Sequence, residues 1–188
     1  MKALFRSLTA AWRRWSLARA NVLIGAGTAL GPGIVAKPGA GRIVVGRDCT
    51  LETGVVLESY GGRIELAERT FVGPYTVIYG HGGVAIGEGC LIAMHCRILS
   101  SNHTVAPFGT SIRSQPDVLL PTRLGRDVWL GAGVTVLGGV TIGDRCIDGA
   151  GAVVTRDLPP GTIAHGVPAE IRKFRSGSPR PADPDGHV

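Results

Sequence analysis

The sequence predicts a β-solenoid, a fold in which short coils of chain stack on one another. One aliphatic residue followed by a small residue returns along the chain, with a second small residue four places after the aliphatic, as in Val45–Cys49, Ile86–Cys90 and Ile142–Cys146. A six-residue period fits neither a 3.6-residue helix nor a two-residue strand alternation, but it fits a short strand and a corner. Glycine is abundant at 29 residues and aromatic residues are only 5%, as tight corners and a narrow interior require.

The cysteines fit this period. Small residues fall four places after the aliphatic lead position on one face of successive coils, at Thr28, Cys49, Thr70, Cys90, Val128 and Cys146, and Cys96 takes the same place on a second face. Coils stacked about 4.8 Å apart would separate Cys49 from Cys90 by about 9 to 10 Å, too far for a disulfide. We expect free, buried thiols in a reducing compartment and no metal, because no CxxC or His/Cys cluster has ligand spacing.

Residues 1–20 are a separate segment, predicted to be a short amphipathic N-terminal helix. Its apolar stripe is Leu4, Leu8, Ala11, Trp12 and Trp15, and positive charge comes from Lys2, Arg6, Arg13, Arg14 and Arg19. Two roles are open: the helix caps the edge of the first coil, or it lies on an anionic bilayer with its tryptophans at the interface. Arginines interrupt any signal-peptide core, and no apolar run is long enough for a transmembrane helix.

The repeat domain spans residues 21–160 and comprises about six coils. Its lead positions are 24, 30, 45, 51, 57, 66, 72, 78, 86, 92, 98, 124, 130, 136, 142 and 154. Asp148 stands where an inward aliphatic residue is expected, and an unpartnered buried carboxylate is costly. Either the register shifts by one, so that Ile147 points inward, or Asp148 meets a hydrogen-bond donor elsewhere in the fold, and we favour the shift.

Three further segments complete the organisation. A long loop without periodicity, 104–123, interrupts the coils directly after His103, and loops of this length are more often functional than accidental. The closing segment 161–175 is predicted to end in a short basic C-terminal helix over Ala169–Arg175, and residues 176–188 form a disordered tail rich in Pro, Gly and Asp.

The formal net charge is +6 and the calculated pI is about 9.6. The basic residues are not arranged in dense blocks with interleaved aromatic residues, so no nucleic-acid partner is predicted. A basic balance of this kind fits the phosphates of a small anionic cofactor or an anionic membrane surface.

The second half of the chain resembles the hexapeptide-repeat acyltransferases. The resemblance covers about residues 66 to 175 and is carried by Asn102-His103 before the long loop, Leu124–Gly133 with Trp129, Gly139–Asp144, Ala150–Pro160 and Gly166–Ala169. It is nearest to the maltose/galactoside O-acetyltransferase type and its relatives in polysaccharide biosynthesis. The resemblance implies a left-handed parallel β-helix, a homotrimer with active sites between subunits, and acetyl-CoA as acyl donor. The reduced thiols predict a cytoplasmic enzyme, and residues 1–20 leave peripheral contact with the inner membrane face open.

The resemblance also implies the roles of individual residues. His103 matches the family's general base, which takes the proton from an attacking sugar hydroxyl. Predicted coenzyme A contacts are Trp129 at the pantetheine end, the backbone N–H of Ala132 at the thioester carbonyl, and Ala150, Thr155, Arg156, Arg172 and Lys173 along the cofactor. Asn102 and His81 are predicted to contact the acceptor, and Asp117 is a candidate for orienting His103.

Departures from the family pattern concern the acceptor. Gly73 and His81 stand where sugar-binding members place an Asn and an Asp, and Glu170 stands where they place a cofactor-binding Arg. We therefore expect an acceptor other than a simple galactoside or maltose.

The leading prediction is O-acetylation of a sugar or glycan precursor. N-acetylation of an amino sugar or acetylation of serine keeps the fold and changes the acceptor. Zinc carbonic anhydrase would need three histidines such as His81, His95 and His103 to meet across a subunit boundary, but the paired-His spacing is absent. A non-catalytic scaffold would leave the long loop after His103 without a purpose.

Overall fold

A computed structural model of the chain describes residues 21–178, which form six stacked coils of a β-solenoid. Each coil contributes one strand to each of three sheets, named faces A, B and C in chain order, and two further strands extend face B. Face A contains β1 (Val22–Ile24), β4 (Arg42–Val45), β7 (Arg63–Leu66), β10 (Val84–Ile86), β15 (Thr122–Leu124) and β18 (Thr141–Ile142).

Faces B and C follow the same stacking order. Face B contains β2 (Ala29–Leu30), β5 (Thr50–Leu51), β8 (Phe71–Val72), β11 (Leu91–Ile92), β16 (Trp129–Leu130), β19 (Ile147–Asp148), β21 (Thr162–His165) and β22 (Glu170–Phe174). Face C contains β3 (Val35–Lys37), β6 (Val56–Glu58), β9 (Val77–Tyr79), β12 (Arg97–Ile98), β17 (Thr135–Val136) and β20 (Val153–Val154). The predicted solenoid of about six coils is confirmed.

The core is a set of aliphatic rows that run from coil to coil. Along face A, Val45, Leu66 and Ile86 are register partners on successive strands, and each is at most 3% exposed. Inward and outward residues alternate along each strand, so one short strand supplies one or two core residues. The six-residue period arises because each coil then turns to the next face.

The corners explain the small residues. A Cβ on Gly25 would lie 2.4 Å from the backbone of Gly46 in the next coil, so only glycine allows that approach. Between faces A and B the chain passes through the left-handed region, which Asp48 enters with a φ of 53° and Arg69 with a φ of 57°.

The interior threonines and cysteines serve the corners of the neighbouring coil. The Thr28 hydroxyl donates to the carbonyl of Gly46 at 2.8 Å, and the Cys90 thiol lies 3.1 Å from the carbonyl of Gly125. All four cysteines are free and buried, as predicted. Burial raises the pKa of Cys90 to about 11, so this thiol stays protonated and inert.

The prediction for Asp148 is wrong, because the register does not shift. Asp148 is 1% exposed and lies between its register partners Leu130 and Ala164, whereas Ile147 is only half-buried. Neither carboxylate oxygen has a hydrogen-bond partner within residues 21–178. Burial disfavours the charged form and raises the pKa of Asp148 to about 7, so the carboxyl is neutral below that pH.

The predicted C-terminal helix over 169–175 is also wrong. The strands β21 and β22 form an antiparallel hairpin at the end of face B, with Ile163 opposite Lys173 and a register irregularity after Ile163. Pairing with an existing sheet edge gives the backbone of Glu170–Phe174 hydrogen-bond partners, whereas a short isolated helix of about two turns leaves most of its backbone groups unpaired.

The long loop is more ordered than predicted. It leaves face C through β13 (Ser101–His103), passes a single 3₁₀ turn at Ile112–Ser114, and returns as β14 (Asp117–Leu119), antiparallel to β13. The coil resumes at Thr122, so the irregular segment ends at Pro121 rather than 123. Leu120 donates its N–H to the carbonyl of Ser100 at 2.8 Å and closes the base of the loop.

The predicted amphipathic helix, 1–20, lies outside the described residues, as do residues 179–188 of the predicted disordered tail. Ser176–Ser178 are described and form a turn after β22. Across residues 21–178, no helix has the length and hydropathy that a bilayer crossing requires.

Candidate active site

The loop hairpin places His103 beside an acidic residue. His103 and Asp117 are direct register partners, the first at the end of β13 and the second at the start of β14. Directly opposite residues in an antiparallel pair carry their side chains on the same side of the sheet. His103 and Asp117 are fourteen residues apart in the chain, and the pairing of β13 with β14 brings the imidazole and the carboxylate together.

The contact between them is a short hydrogen bond. Nδ1 of His103 lies 2.7 Å from Oδ1 of Asp117. A carboxylate accepts, so Nδ1 carries the proton and Nε2 keeps its lone pair. The His103 side chain is 74% exposed, whereas that of Asp117 is 33% exposed, so Nε2 is open to an incoming substrate.

His81 lies on the other side of the same carboxylate. Its Nδ1 is 3.4 Å from Oδ2 of Asp117, and its ring centroid is 5.9 Å from that of Tyr60. Tyr60, His81 and the loop base occupy the corner between faces C and A in three successive coils. Two histidines thus share Asp117, which anchors the hairpin to the body of the solenoid.

Asn102 has a different local role. Its side-chain oxygen accepts the backbone N–H of His103 at 2.9 Å. Just beyond the pair, the Thr104 hydroxyl donates to the carbonyl of Pro116 at 2.6 Å. The Thr104–Pro116 bond joins the two sides of the loop next to His103, whereas the Asn102 bond is local to one strand.

Trp129 lies on face B, away from His103. Its side chain stands outward and is 50% exposed, next to its register partners Leu91 and Ile147. The row continues through Ile163 to Lys173 on β22. The predicted cofactor residues Trp129 and Lys173 therefore share one outer face, separated by three strand spacings, or about 14 Å.

Ala132 and Ala150 stack at the corner between faces B and C. Gly151 donates its N–H to the carbonyl of Ala132 at 2.8 Å. Within residues 21–178, the N–H of Ala132 donates no backbone hydrogen bond. The N–H of Met94, at the same corner one coil earlier, also donates no backbone hydrogen bond. An unpaired N–H is therefore a property of this corner and does not by itself mark a binding site.

The remaining predicted cofactor residues do not join this group in one chain. Thr155 and Arg156 are exposed at the corner between faces C and A of the last coil. Arg172 forms an ion pair with Glu170 at 3.2 Å on the same strand. The structure thus brings His103, Asn102 and His81 together and leaves the predicted coenzyme A contacts on three other parts of the surface.

Sequence reasoning missed Tyr60 and the link between His81 and Asp117. These residues are far apart in the chain, and only the stacking of coils and the loop hairpin unite them. His95, the third histidine considered for a zinc site, stacks instead on Tyr75 with ring centroids 5.4 Å apart. Among residues 21–178, no three His, Cys, Asp or Glu side chains converge in a way that would hold a metal ion.

Comparison with known proteins identifies the repeat. The family described as "Bacterial transferase hexapeptide (six repeats)" matches residues 121–156, and "Hexapeptide repeat of succinyl-transferase" matches residues 40–59. The predicted repeat is confirmed at both ends of the solenoid.

Two relatives and one solved structure illustrate the similarity. The chain is 34% identical over 142 residues to the putative lipopolysaccharide biosynthesis O-acetyl transferase WbbJ of Escherichia coli K12, covering 71% of this chain and 72% of WbbJ. It is 33% identical over 128 residues to the galactoside O-acetyltransferase of the same organism, covering 68% and 61% of the two chains. A mutant of AntD, an N-acyltransferase from Bacillus cereus crystallised with dTDP-4-amino-4,6-dideoxyglucose and coenzyme A, superposes with a TM-score of 0.73 at 19% identity, covering 86% and 88%.

The likeness to AntD concerns the fold alone. The chain spans 61% of the length of the galactoside O-acetyltransferase and 56% of the length of two further relatives. The alignment to WbbJ covers more than two thirds of both chains. This chain therefore belongs to the hexapeptide-repeat acyltransferase family.

Proposed function

We propose that this protein transfers an acetyl group from acetyl-CoA to a hydroxyl of a sugar or glycan precursor, with His103 as general base. The observation that carries the proposal is the 2.7 Å bond between Nδ1 of His103 and Asp117, which leaves Nε2 exposed as the basic atom. A sugar hydroxyl has a very high pKa and needs a positioned base to become a nucleophile near neutral pH.

The reaction forms one carbon–oxygen bond and breaks one carbon–sulfur bond. Nε2 of His103 takes the hydroxyl proton while the oxygen attacks the carbonyl carbon of the thioester. The carbon–sulfur bond then breaks, and the imidazolium returns the proton to the departing thiolate, so the products are the acetyl ester and coenzyme A. Asp117 is a positioning residue: it holds the ring and stabilises the imidazolium formed between the two steps.

The donor side of the reaction is assigned to the other predicted residues. Trp129 would pack against the pantetheine arm, and the N–H of Ala132 would donate to the thioester carbonyl as its oxygen gains charge. Ala150, Thr155, Arg156 and Lys173 would line the rest of the cofactor, whose phosphates favour the basic residues. Arg172 is the weakest of these contacts, because Glu170 already offsets its charge.

A homotrimer would reconcile the two halves of the site. In one chain His103 and Trp129 lie on different faces, so a shared cleft needs the His103 loop of one subunit beside face B of its neighbour. Face B presents an outward apolar row of Phe71, Leu91, Trp129, Ile147 and Ile163. A contiguous apolar row of this kind favours burial against another surface.

Transfer to an amine is the alternative that shares this chemistry. An amino sugar would attack the same thioester, and AntD is an N-acyltransferase with the same fold. The acceptor panel below separates the two, because an ester product is cleaved by mild base and an amide is not.

The deciding experiment is a thiol-release assay with acetyl-CoA across sugars, amino sugars, sugar phosphates and nucleotide sugars. We expect a hydroxyl acceptor to release coenzyme A, His103→Ala to lower the rate by about 10² to 10⁴ with cofactor affinity retained, and Trp129→Ala to weaken cofactor binding instead. A His103→Ala variant with more than half the original rate would remove His103 from the mechanism. If none of the acceptors in the panel stimulated the release of coenzyme A, the transferase proposal would be contradicted.

A further inference from the structure

A basic groove adjoins the His103 hairpin. It encloses about 690 Å³ at the corner between faces C and A in the first coils. Its wall includes His81 and Leu119, and Leu119 lies two residues along β14 from Asp117, or about 7 Å. A molecule in this groove would therefore lie next to the proposed catalytic base.

The charged residues that line the groove are all basic. Arg42, Arg63 and His81 line it, and no Asp or Glu from residues 21–178 does so. The Arg63 guanidinium forms an ion pair with Glu65 outside the lining, whereas no ion pair of Arg42 exists in the described part of the chain. Within the described residues, Arg42 thus brings a positive charge to the groove that no carboxylate pairs with, whereas Glu65 offsets part of the charge of Arg63.

Arg42 and Arg63 are direct register partners on β4 and β7. Adjacent strands lie about 4.8 Å apart, and like charges directly opposite one another destabilise a sheet. A bound anion would convert this repulsion into attraction, because two guanidinium groups at this spacing present parallel donors to phosphate oxygens.

The floor of the groove is bare backbone. Gly61 and Gly83 have positive φ, and a Cβ added to either would meet nothing within 4 Å. A larger residue would be strained there and would also fill the groove. The floor is therefore open to a ligand that approaches the main chain closely.

We propose that this groove binds the phosphate of a phosphorylated sugar acceptor, with Arg42 and Arg63 on the phosphate and the sugar directed past His81 toward His103. This inference rests on the proposed acetyl transfer and narrows its acceptor to a sugar phosphate or diphosphate-linked sugar. Free sugar phosphates, nucleotide-linked sugars and lipid-diphosphate-linked sugars all carry a phosphate group. A phosphorylated acceptor would also explain why Gly73 and His81 stand where sugar-binding members of the family place an Asn and an Asp.

Binding is tested by titration calorimetry on the intact protein at low salt with glucose 1-phosphate, UDP-glucose, glucose and glucuronate as probes. We expect the two phosphorylated probes to bind, and the double variant Arg42→Gln/Arg63→Gln to weaken them by about ten- to a hundredfold. Arg123→Gln is the matched control, since it removes the same charge from face A outside the groove, and it should leave affinity unchanged. UDP-glucose binding well above glucose 1-phosphate would indicate a nucleotide-linked acceptor, and equal binding a site that reads phosphate alone.

Three outcomes would overturn the groove assignment: glucose binding as tightly as glucose 1-phosphate, glucuronate doing so, or Arg123→Gln losing as much affinity as the double variant. The thiol-release assay separates this failure from failure of the enzyme. Transfer to neutral sugars that is insensitive to Arg42→Gln/Arg63→Gln would leave the acetyltransferase and remove the phosphate site. Arginine-dependent binding of glucose 1-phosphate without transfer to any acceptor would do the reverse.

Discussion

The carboxylate of Asp117 has two neighbours, and this arrangement fixes the chemistry of His103. One oxygen is 2.7 Å from His103 and the other is 3.4 Å from His81. An imidazole that donates from Nδ1 can act as a base only through Nε2. The single residue Asp117 therefore sets both the orientation and the tautomer of the proposed base.

Asp117→Asn should lower the acetylation rate by about 10 to 10⁴-fold, because an amide stabilises the imidazolium poorly and permits the wrong tautomer. The double variant Asp117→Asn/His103→Ala should be no slower than His103→Ala alone, since both residues serve one step. Steady-state kinetics of the three variants measures this. Fully additive losses would show that Asp117 acts independently of His103.

Asp148 makes stability depend on pH. Burial raises its pKa from 3.8 to about 7, so the folded state holds a proton that the unfolded chain releases above its ordinary pKa. Stability should therefore fall as pH rises from about 4 to about 7, by an amount on the order of a few kcal/mol. Asp148→Val should raise the melting temperature at pH 7 and flatten this dependence.

Glu52→Gln is the control for Asp148, because Glu52 is a half-buried corner carboxyl rather than an interior one. Thermal melting from pH 4 to pH 8 measures both variants. A flat profile in the unmodified protein would show that Asp148 gains a compensating donor in solution.

At the scale of elements, the loop is an addition to the solenoid rather than part of its support. The strands before and after it pair directly, β10 with β15 and β11 with β16. None of the residues in its 3₁₀ turn is buried, and the Phe108 side chain is fully exposed. The loop contributes the His103 hairpin, and the coils hold together without its tip.

Replacing residues 106–114 by a short Gly-Ser turn should leave the melting temperature nearly unchanged and lower the acetylation rate on the order of 10²-fold, through misplacement of His103 and Asp117. Thermal melting tests the expected stability, and steady-state kinetics on the same preparation tests the expected loss of rate. An unfolded product, or a product with full rate, would contradict the division of roles.

At the scale of the whole molecule, one chain leaves its proposed site divided. We expect a trimer by sedimentation equilibrium, and Leu91→Glu should dissociate it because Leu91 is 53% exposed beside Trp129 in the apolar row of face B. Val35→Glu is the matched control on face C. An active monomer at assay concentration would exclude the shared cleft.

Residues 1–20 have two possible roles that a deletion distinguishes. If they cap the first coil, as we expect, a chain that lacks them should melt at lower temperature or aggregate, and the intact protein should not bind anionic liposomes. If they contact a membrane, the shortened protein should stay folded and active, and the intact one should sediment with liposomes and release at high salt. Salt-sensitive sedimentation would thus reverse our choice and place the enzyme at a membrane surface.

The repeat, its faces and its interior follow from the amino-acid sequence alone. The six-residue period specifies which residues point inward, because each strand is too short for any other register to bury the same side chains. The positions of Cys49, Cys90, Cys96 and Cys146 follow from it. At Asp148 the six-residue period predicts the orientation correctly, because the residue points inward. The cost of burying a carboxylate predicts a register shift that the structure does not show.

The assembly of the site depends on tertiary contacts. Whether Glu170–Phe174 forms a helix or a strand depends on the free edge of β21, and the contact of Asp117 with both histidines depends on an antiparallel return after a loop without periodicity. Long-range pairing of this kind leaves no local signal, since its free energy comes from partners distant in sequence. The alignment of Arg42 with Arg63 has the same origin: their separation equals one coil, and only stacking makes them neighbours.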